Sequence, residues 1–293
     1  MTPAPVHTDP PRHHAFLGVE YDGTPFHGWT RQPDGYVTLE QELLDAFAKL
    51  RCTDVQLRCA GRTDAGVHAS AQVVDARYRG TIEPERLARA LSGNVRHELA
   101  VIGSACAPEG FDARGDATSR AYEYRLLPRR EPSPLRHAHV LHHPRPLDRA
   151  RLDHVAAAVL GQHRFTAFTP TRTGHVFFDR TIVTSEWVER GDELVYRVRA
   201  NAFLRHMVRV LVGTMLAVGR GDCTVEEFEA MLDGGPRSDA FQTAPPQGLC
   251  LVDVTWEPVA GLPLPPGWSG ERATALRDLA RSYAVTHPFS TAG

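Results

Sequence analysis

The chain has 293 residues, of which 42% are hydrophobic, with a formal net charge of -2 and a pI near 6.7. That is enough apolar material for one large domain or two ordinary ones, and it excludes a protein that holds nucleic acid through overall positive charge. Five widely spaced cysteines, no CxxC and no apolar run of about 18 residues argue against a structural zinc, a disulfide framework or a membrane span.

Residues 1–14, "MTPAPVHTDPPRHH", read as a disordered tail rather than a signal peptide. "FLGVEYDG" (16–23) alternates Leu17, Val19 and Tyr21 on one face and ends in a turn. Thr38 with Gln41 is a capping-box pattern opening a helix with Leu39, Leu43, Phe47 and Leu50 on one side. "VQLRCA" and "QVVDARY" (72–78) are strand-like, and Pro84 suits the first turn of a short helix, "PERLARAL".

A similar series follows. "AYEYRLL" (121–127) places Tyr122, Tyr124 and Leu126 on one strand face. "LDRARLDHVAAAVLG" (147–161) is helical, closed by Gly161. "RTIVTSEWVE" and "ELVYRVRANAF" form a hairpin about "RGD". "FLRHMVRVLVGTMLAVG" (203–219) is apolar nearly all round, the pattern of a buried helix. Thr224 and Glu227 cap "VEEFEAMLD", and "GLCLVDVTWE" (248–257) is a last core strand. The fold class expected is α+β: two similar subdomains, 15–110 and 111–257, each a mainly antiparallel sheet backed by helices, with the active-site cleft between them. Residues 258–293 read as a Pro/Gly linker and an appended helix over 271–284.

Within "CAGRTDAGVHA" (59–69) a single carboxylate, Asp64, sits in a loop between strand-like segments. An Asp before Ala-Gly is usually a turn former. Three features favour chemistry here. Strand-held loops carry functional groups. Ala60, Gly61, Ala65 and Gly66 permit close approach to the backbone. Arg62 lies alongside, and an arginine near a carboxylate favours its charged form, which can act as nucleophile or base. A glycosidase would need a second acid, the next in sequence being Asp75 and Glu83, and a metal site would need several ligands where His68 stands alone. The pattern describes one carboxylate working without metal. Arg209, on the apolar helix, requires a carboxylate partner or an exit to water; Arg205, one turn earlier, is the alternative.

"GRTDAGVHA" resembles the signature of the tRNA pseudouridine synthase A family. "YDGTPFHGWTRQ" (21–32), "FDARGDATSRAYEYRL" (111–126), "NAFLRHMVRVLVGTMLAVG" (201–219) and "APPQGLCLVDV" (244–254) are similar to further family blocks in the family's order, from about Phe16 to Glu257. The resemblance implies that Asp64 is the catalytic residue, Tyr122 stacks on the target base and serves in proton transfer, Arg62 intrudes into the RNA to help flip the base, and Arg209 pairs with Asp64. It implies a homodimer that takes tRNA and converts uridine to pseudouridine at positions 38, 39 and 40 of the anticodon arm, without a cofactor; the odd, widely spaced cysteines read as those of a reduced, cytoplasmic protein. Thr30 departs from the family's "GWQRQ", the segment 169–182 is less family-like, and 258–293 has no counterpart.

Positive charge is nearly all arginine, Lys49 excepted. That suits bidentate phosphate contacts, although a biased genome composition gives the same pattern. "RLLPRREPSPLRHAH" (125–139) supplies a local basic stretch, for RNA or as a solvated loop. The contrasting reading is a catalytically silent RNA-binding protein or chaperone on the same fold.

Overall fold

The computed structural model describes residues 9–33, 35–265, 270 and 274. The chain opens with strand β1 (Arg12–Tyr21), helix α1 (Leu39–Lys49), β2 (Thr53–Cys59), β3 (His68–Arg79), α2 (Pro84–Ser92) and β4 (Leu99–Cys106). Thr38 caps α1 by accepting the Gln41 N–H, while the Gln41 side chain turns to Asp45 instead of closing the box. Leu39, Leu43, Ala46 and Phe47 face the core. Pro84 is at the start of α2, where its missing N–H costs nothing.

The second series is β5 (Ser119–Leu127), the short β6 (Leu141–His142), α3 (Arg149–Ala158), β7 (Gly161–Arg164), β8 (Asp179–Arg190), β9 (Glu193–Ala200), α4 (Met207–Arg220), α5 (Val225–Leu232) and β10 (Leu249–Thr255). Thr224 and Glu227 form a complete capping box on α5. Gly161 lies beyond the last turn of α3, and its φ of +98° opens β7.

The ten strands of the described residues join one sheet in the order β4-β1-β3-β10-β5-β9-β8-β7, with β2 on β3 and β6 on β5. Strip away β6 and β7 and the two series have the same plan. The first runs β4-β1-β3-β2 and the second β10-β5-β9-β8, antiparallel throughout. They meet through β3, which is antiparallel to β2 over Val74–Arg79 and parallel to β10 at His68–Ala69. β3 therefore changes neighbours along its length, and the connection between β2 and β3, residues 60–67, lies at that fork.

Two boundaries differ from the sequence reading. Arg12, His13 and His14 belong to β1, not to a tail: His14 Nε2 lies 2.6 Å from Asp75 Oδ1 and His13 Nε2 lies 3.1 Å from Gly80 O. These partners are more than sixty positions away, so no local pattern announces them. Helix α4 begins at Met207 because the chain bends through His206, whose φ is +60°. Residues 1–8 of the expected tail and nearly all of the expected helix 271–284 lie outside the described residues. Among the described residues no helix is long and apolar enough to cross a membrane. The five cysteines are free, and burial pushes the Cys59 and Cys250 thiols up to about 12, away from reactive thiolate.

Candidate active site

The loop 60–67 is held from three sides. Gln72 of β3 brackets Gly61: its Nε2 donates to Gly61 O (2.6 Å) and its Oε1 accepts the Gly61 N–H (3.2 Å). The Tyr21 and Thr63 hydroxyls lie 2.8 Å apart in the interior. The segment before α1 supplies the rest, with Trp29 N–H donating to Thr63 O and Gly66 N–H to Phe26 O. Gly28 has φ +89°, and a Cβ there would lie 3.0 Å from Thr63 O and 3.1 Å from Ala65 N, so glycine is required on both counts.

The small residues of the loop serve packing more than substrate approach. A Cβ on Gly66 (φ +75°) would meet Pro246 Cγ at 2.9 Å, and one on Gly61 would sit 3.3 Å from the Tyr122 hydroxyl. Ala60 is buried, whereas Ala65 is exposed. Their smallness lets the second series of elements close onto the loop.

Asp64 is thereby presented to the first turn of α4. Arg209 Nη1 donates to Asp64 Oδ2 at 3.0 Å, while its Nε donates to Ala244 O at 2.8 Å. Arg205 is exposed and, among the described residues, makes no ion pair with Asp64; its backbone is bonded to His175 and Thr169. His206 Nε2 stands 3.6 Å from Asp64 Oδ1. Burial lowers the His206 pKa, Asp64 opposes that shift, and Arg209 and Arg205 reinforce it. The Asp64 side chain keeps 23% exposure, so solvent or a substrate can reach it.

Tyr122 borders the same loop. Its ring packs edge-on against Phe203 at 5.1 Å and is 7% exposed. Burial is the main cause that holds its phenol above the ordinary range; Arg120 opposes and Asp64 adds to it. The hydroxyl is therefore protonated at neutral pH and able to donate. Tyr124, on the same strand face, is fully buried and bonded to Pro245 O at 2.8 Å. Arg62 is exposed and, among the described residues, its side chain makes no hydrogen bond or ion pair. The structure thus groups Asp64, Arg209 and Tyr122, and leaves Arg62 projecting beside them.

Neither alternative to a lone carboxylate gains from the geometry. Asp75 is buried against His14, and Glu83 lies by His13 at the start of β1. His68 is not alone, since Asp22 and His139 are near enough to share an ion. Yet its Nδ1 accepts the Gly23 N–H and its Nε2 faces Gln247 O, so both ring nitrogens are occupied by backbone.

With this geometry in hand, residues 18–114 and 155–257 match the family model described as tRNA pseudouridine synthase. The chain belongs to the tRNA pseudouridine synthase family. It is accordingly an isomerase acting on uridine in tRNA. It is similar to the tRNA pseudouridine synthase A of Frankia casuarinae, 41% identical over 83% of this chain and 89% of the relative. The tRNA pseudouridine synthase A of Mesorhizobium japonicum is 37% identical over 82% of this chain and 98% of its own length. The tRNA pseudouridine synthase A 2 of Clostridium perfringens is 35% identical over 81% and 97%.

In this pseudouridine synthase two positioning groups escaped the sequence reading. Arg120 is 8% exposed and faces backbone oxygens: it donates to Ala60 O, Ala117 O, Arg114 O and Asn201 O. Burial lowers its pKa to about 10, so it stays charged. It ties the start of the Asp64 loop to the second series. Gln72 is the other. Both lie inside or beside family-like blocks, but a buried arginine that bonds only carbonyls has no partner residue type to give it away.

Proposed function

We propose that the chain isomerises uridines in the anticodon arm of tRNA, at positions 38, 39 and 40, with Asp64 as the catalytic carboxylate. The observation that carries this reading is the Asp64–Arg209 pair at the fork of β3, with the Tyr122 phenol of β5 against the same loop. The reaction breaks the uridine N1–C1′ bond, turns the base and joins C5 to C1′. Atoms are conserved, so the chemistry asks for a carboxylate, a proton carrier and a place for a flipped base, and for no cofactor. Arg209 orients Asp64, Tyr122 stacks beneath the extruded uracil and carries a proton, and Arg62 takes the base's place in the RNA.

We read the halves 15–110 and 111–257 as the two walls of the RNA cleft, and the enzyme as a cytoplasmic homodimer across which one tRNA lies. A net charge of -2 is compatible with that arrangement, because one subunit's arginine-rich face can serve the partner's site. Incubating the purified protein with unmodified tRNA transcript, then labelling with carbodiimide and mapping stops, tests it. Stops at 38, 39 or 40 that vanish with Asp64→Asn are expected; conversion that persists within about tenfold, roughly 1.4 kcal/mol of barrier, overturns the assignment.

A further inference from the structure

Beside Arg62, on the side formed by β2 and the 111–114 turn, a half-open cavity of about 440 Å³ brings Arg58, Arg62, Arg77 and Arg114 together. The charges there are unevenly matched. Asp112, Asp75 and Glu40 also line the cavity, but each is engaged by this chain. Asp112 accepts the N–H groups of Arg114 and Gly115 and pairs with Arg58 at 2.8 Å. Asp75 is 2.6 Å from His14, and Glu40 accepts the Arg31 N–H at 2.8 Å. Arg77 Nε reaches Asp75 only at 3.8 Å. The side chains of Arg62 and Arg114 have no hydrogen bond or ion pair among the described residues. Four guanidinium groups thus face three carboxylates on one concave wall, which leaves it with a net positive charge and with the ends of Arg62 and Arg114 free to take a ligand.

We propose that this cavity is a second RNA subsite, which takes a nucleotide flanking the extruded uridine and holds its phosphodiester on Arg114, Arg77 and Arg58. The inference rests on the tRNA reading of the Asp64 site. The volume lies in the range of pockets that hold one small ligand, so it suits one nucleotide and not a stretch of duplex. Guanidinium groups match phosphate oxygens in bidentate fashion. The one large aromatic on the wall, Trp29, is 2% exposed, so no open ring is offered for stacking. Recognition here is thus of backbone and charge, independent of base identity, as befits an enzyme that must accept different flanking sequences. Because Arg62 stands between this wall and the loop of Asp64, a phosphate seated here would register the strand against the reacting carboxylate while Arg62 enters the RNA.

The test uses unmodified tRNA transcript with the full chain. Arg77→Ala combined with Arg114→Ala removes two cationic groups and leaves Asp64, Tyr122, Arg209 and Arg62 in place. KM is expected to rise about tenfold with kcat within about twofold, and the slope of log affinity against log salt should shrink by about 1, for the one phosphate no longer neutralised. Gln56→Trp, at an exposed strand position on the cavity wall, fills the space without changing a charge and is expected to raise KM similarly. KM within twofold of wild type and an unaltered salt slope in these variants would overturn the subsite. If the double variant fails to fold, Gln56→Trp decides. If wild type converts no uridine, the functional reading fails separately, and the salt slope of tRNA binding still judges the cavity.

Discussion

The two series of elements share one plan and differ in what joins their central strands. Between β8 and β9 the connection is the tight turn Gly191–Asp192, with Arg190 opposite Glu193. Between β2 and β3 it is the loop 60–67. Each connection holds an aspartate paired with arginine, yet the two are chemically unlike. Asp192 has both oxygens taken, by Arg136 at 2.7 Å on each and by Arg129 at 3.1 Å, and Arg136 above all brings its pKa down to about 2. Asp64 gives one oxygen to Arg209 and keeps the other beside His206, with part of the carboxylate open to solvent. An arginine alone does not make a reactive aspartate. What separates the two is the length of the loop and the second half of the molecule closing over it.

The sharpest way to break the comparison is to neutralise each aspartate. Asp64→Asn is expected to abolish pseudouridine formation with the melting temperature and tRNA affinity nearly kept, whereas Asp192→Asn leaves turnover within about twofold; carbodiimide mapping of both variants decides. Next is the clamp between the halves. Arg120→Met removes a fork that serves four carbonyl groups, and a stability loss of about 3 kcal/mol is expected in urea unfolding, since buried acceptors are left unpaired. Arg125→Met, on the other strand face, should cost less, because Arg136 still pairs with the buried Glu193.

Tyr122→Phe keeps the ring and loses the hydroxyl. Turnover is expected to fall at least about a hundredfold, or roughly 2.7 kcal/mol, at near-normal tRNA binding. Tyr124→Phe should instead cost about 1 kcal/mol of stability through the missing bond to Pro245 O, with turnover little changed. Reversal of these two results would mean that the wrong tyrosine has been assigned. The smallest effect concerns the joint of β3 and β10. His68 there faces Asp22, His139 and Gln247 O, and burial first, then His139, lowers its pKa from 6.5. The unfolded chain therefore takes the proton before the folded one. Stability is full above about pH 6.5 and declines as pH falls through that value toward the folded pKa. Melting temperature should drop by a few degrees between pH 7 and 5, and less in His68→Gln.

The alternation of Tyr122 and Tyr124, the capping residues Thr38 and Thr224, and the apolar 203–219 helix were legible because they depend on periodicity and neighbours three or four positions apart. β4, β6 and β7 were not: "LAVIGSAC" mixes small residues, and the two short strands exist only because β5 and β8 offer them an edge. Arg12–His14 joined β1 through partners far along the chain.

Local composition determined by itself that Asp64 stands in a tight, glycine-marked loop between strands, next to Arg62, with a buried arginine-bearing helix elsewhere in need of a carboxylate. Only the tertiary structure decided that Arg209 and not Arg205 meets it, that Gly61 and Gly66 are small to admit Tyr122 and Pro246, and that Arg120 locks the loop to the second half. The reason is one of range. Turns and caps answer to neighbours along the chain, whereas the pairing of Asp64 with Arg209, 145 positions away, exists only where β3 exchanges β2 for β10.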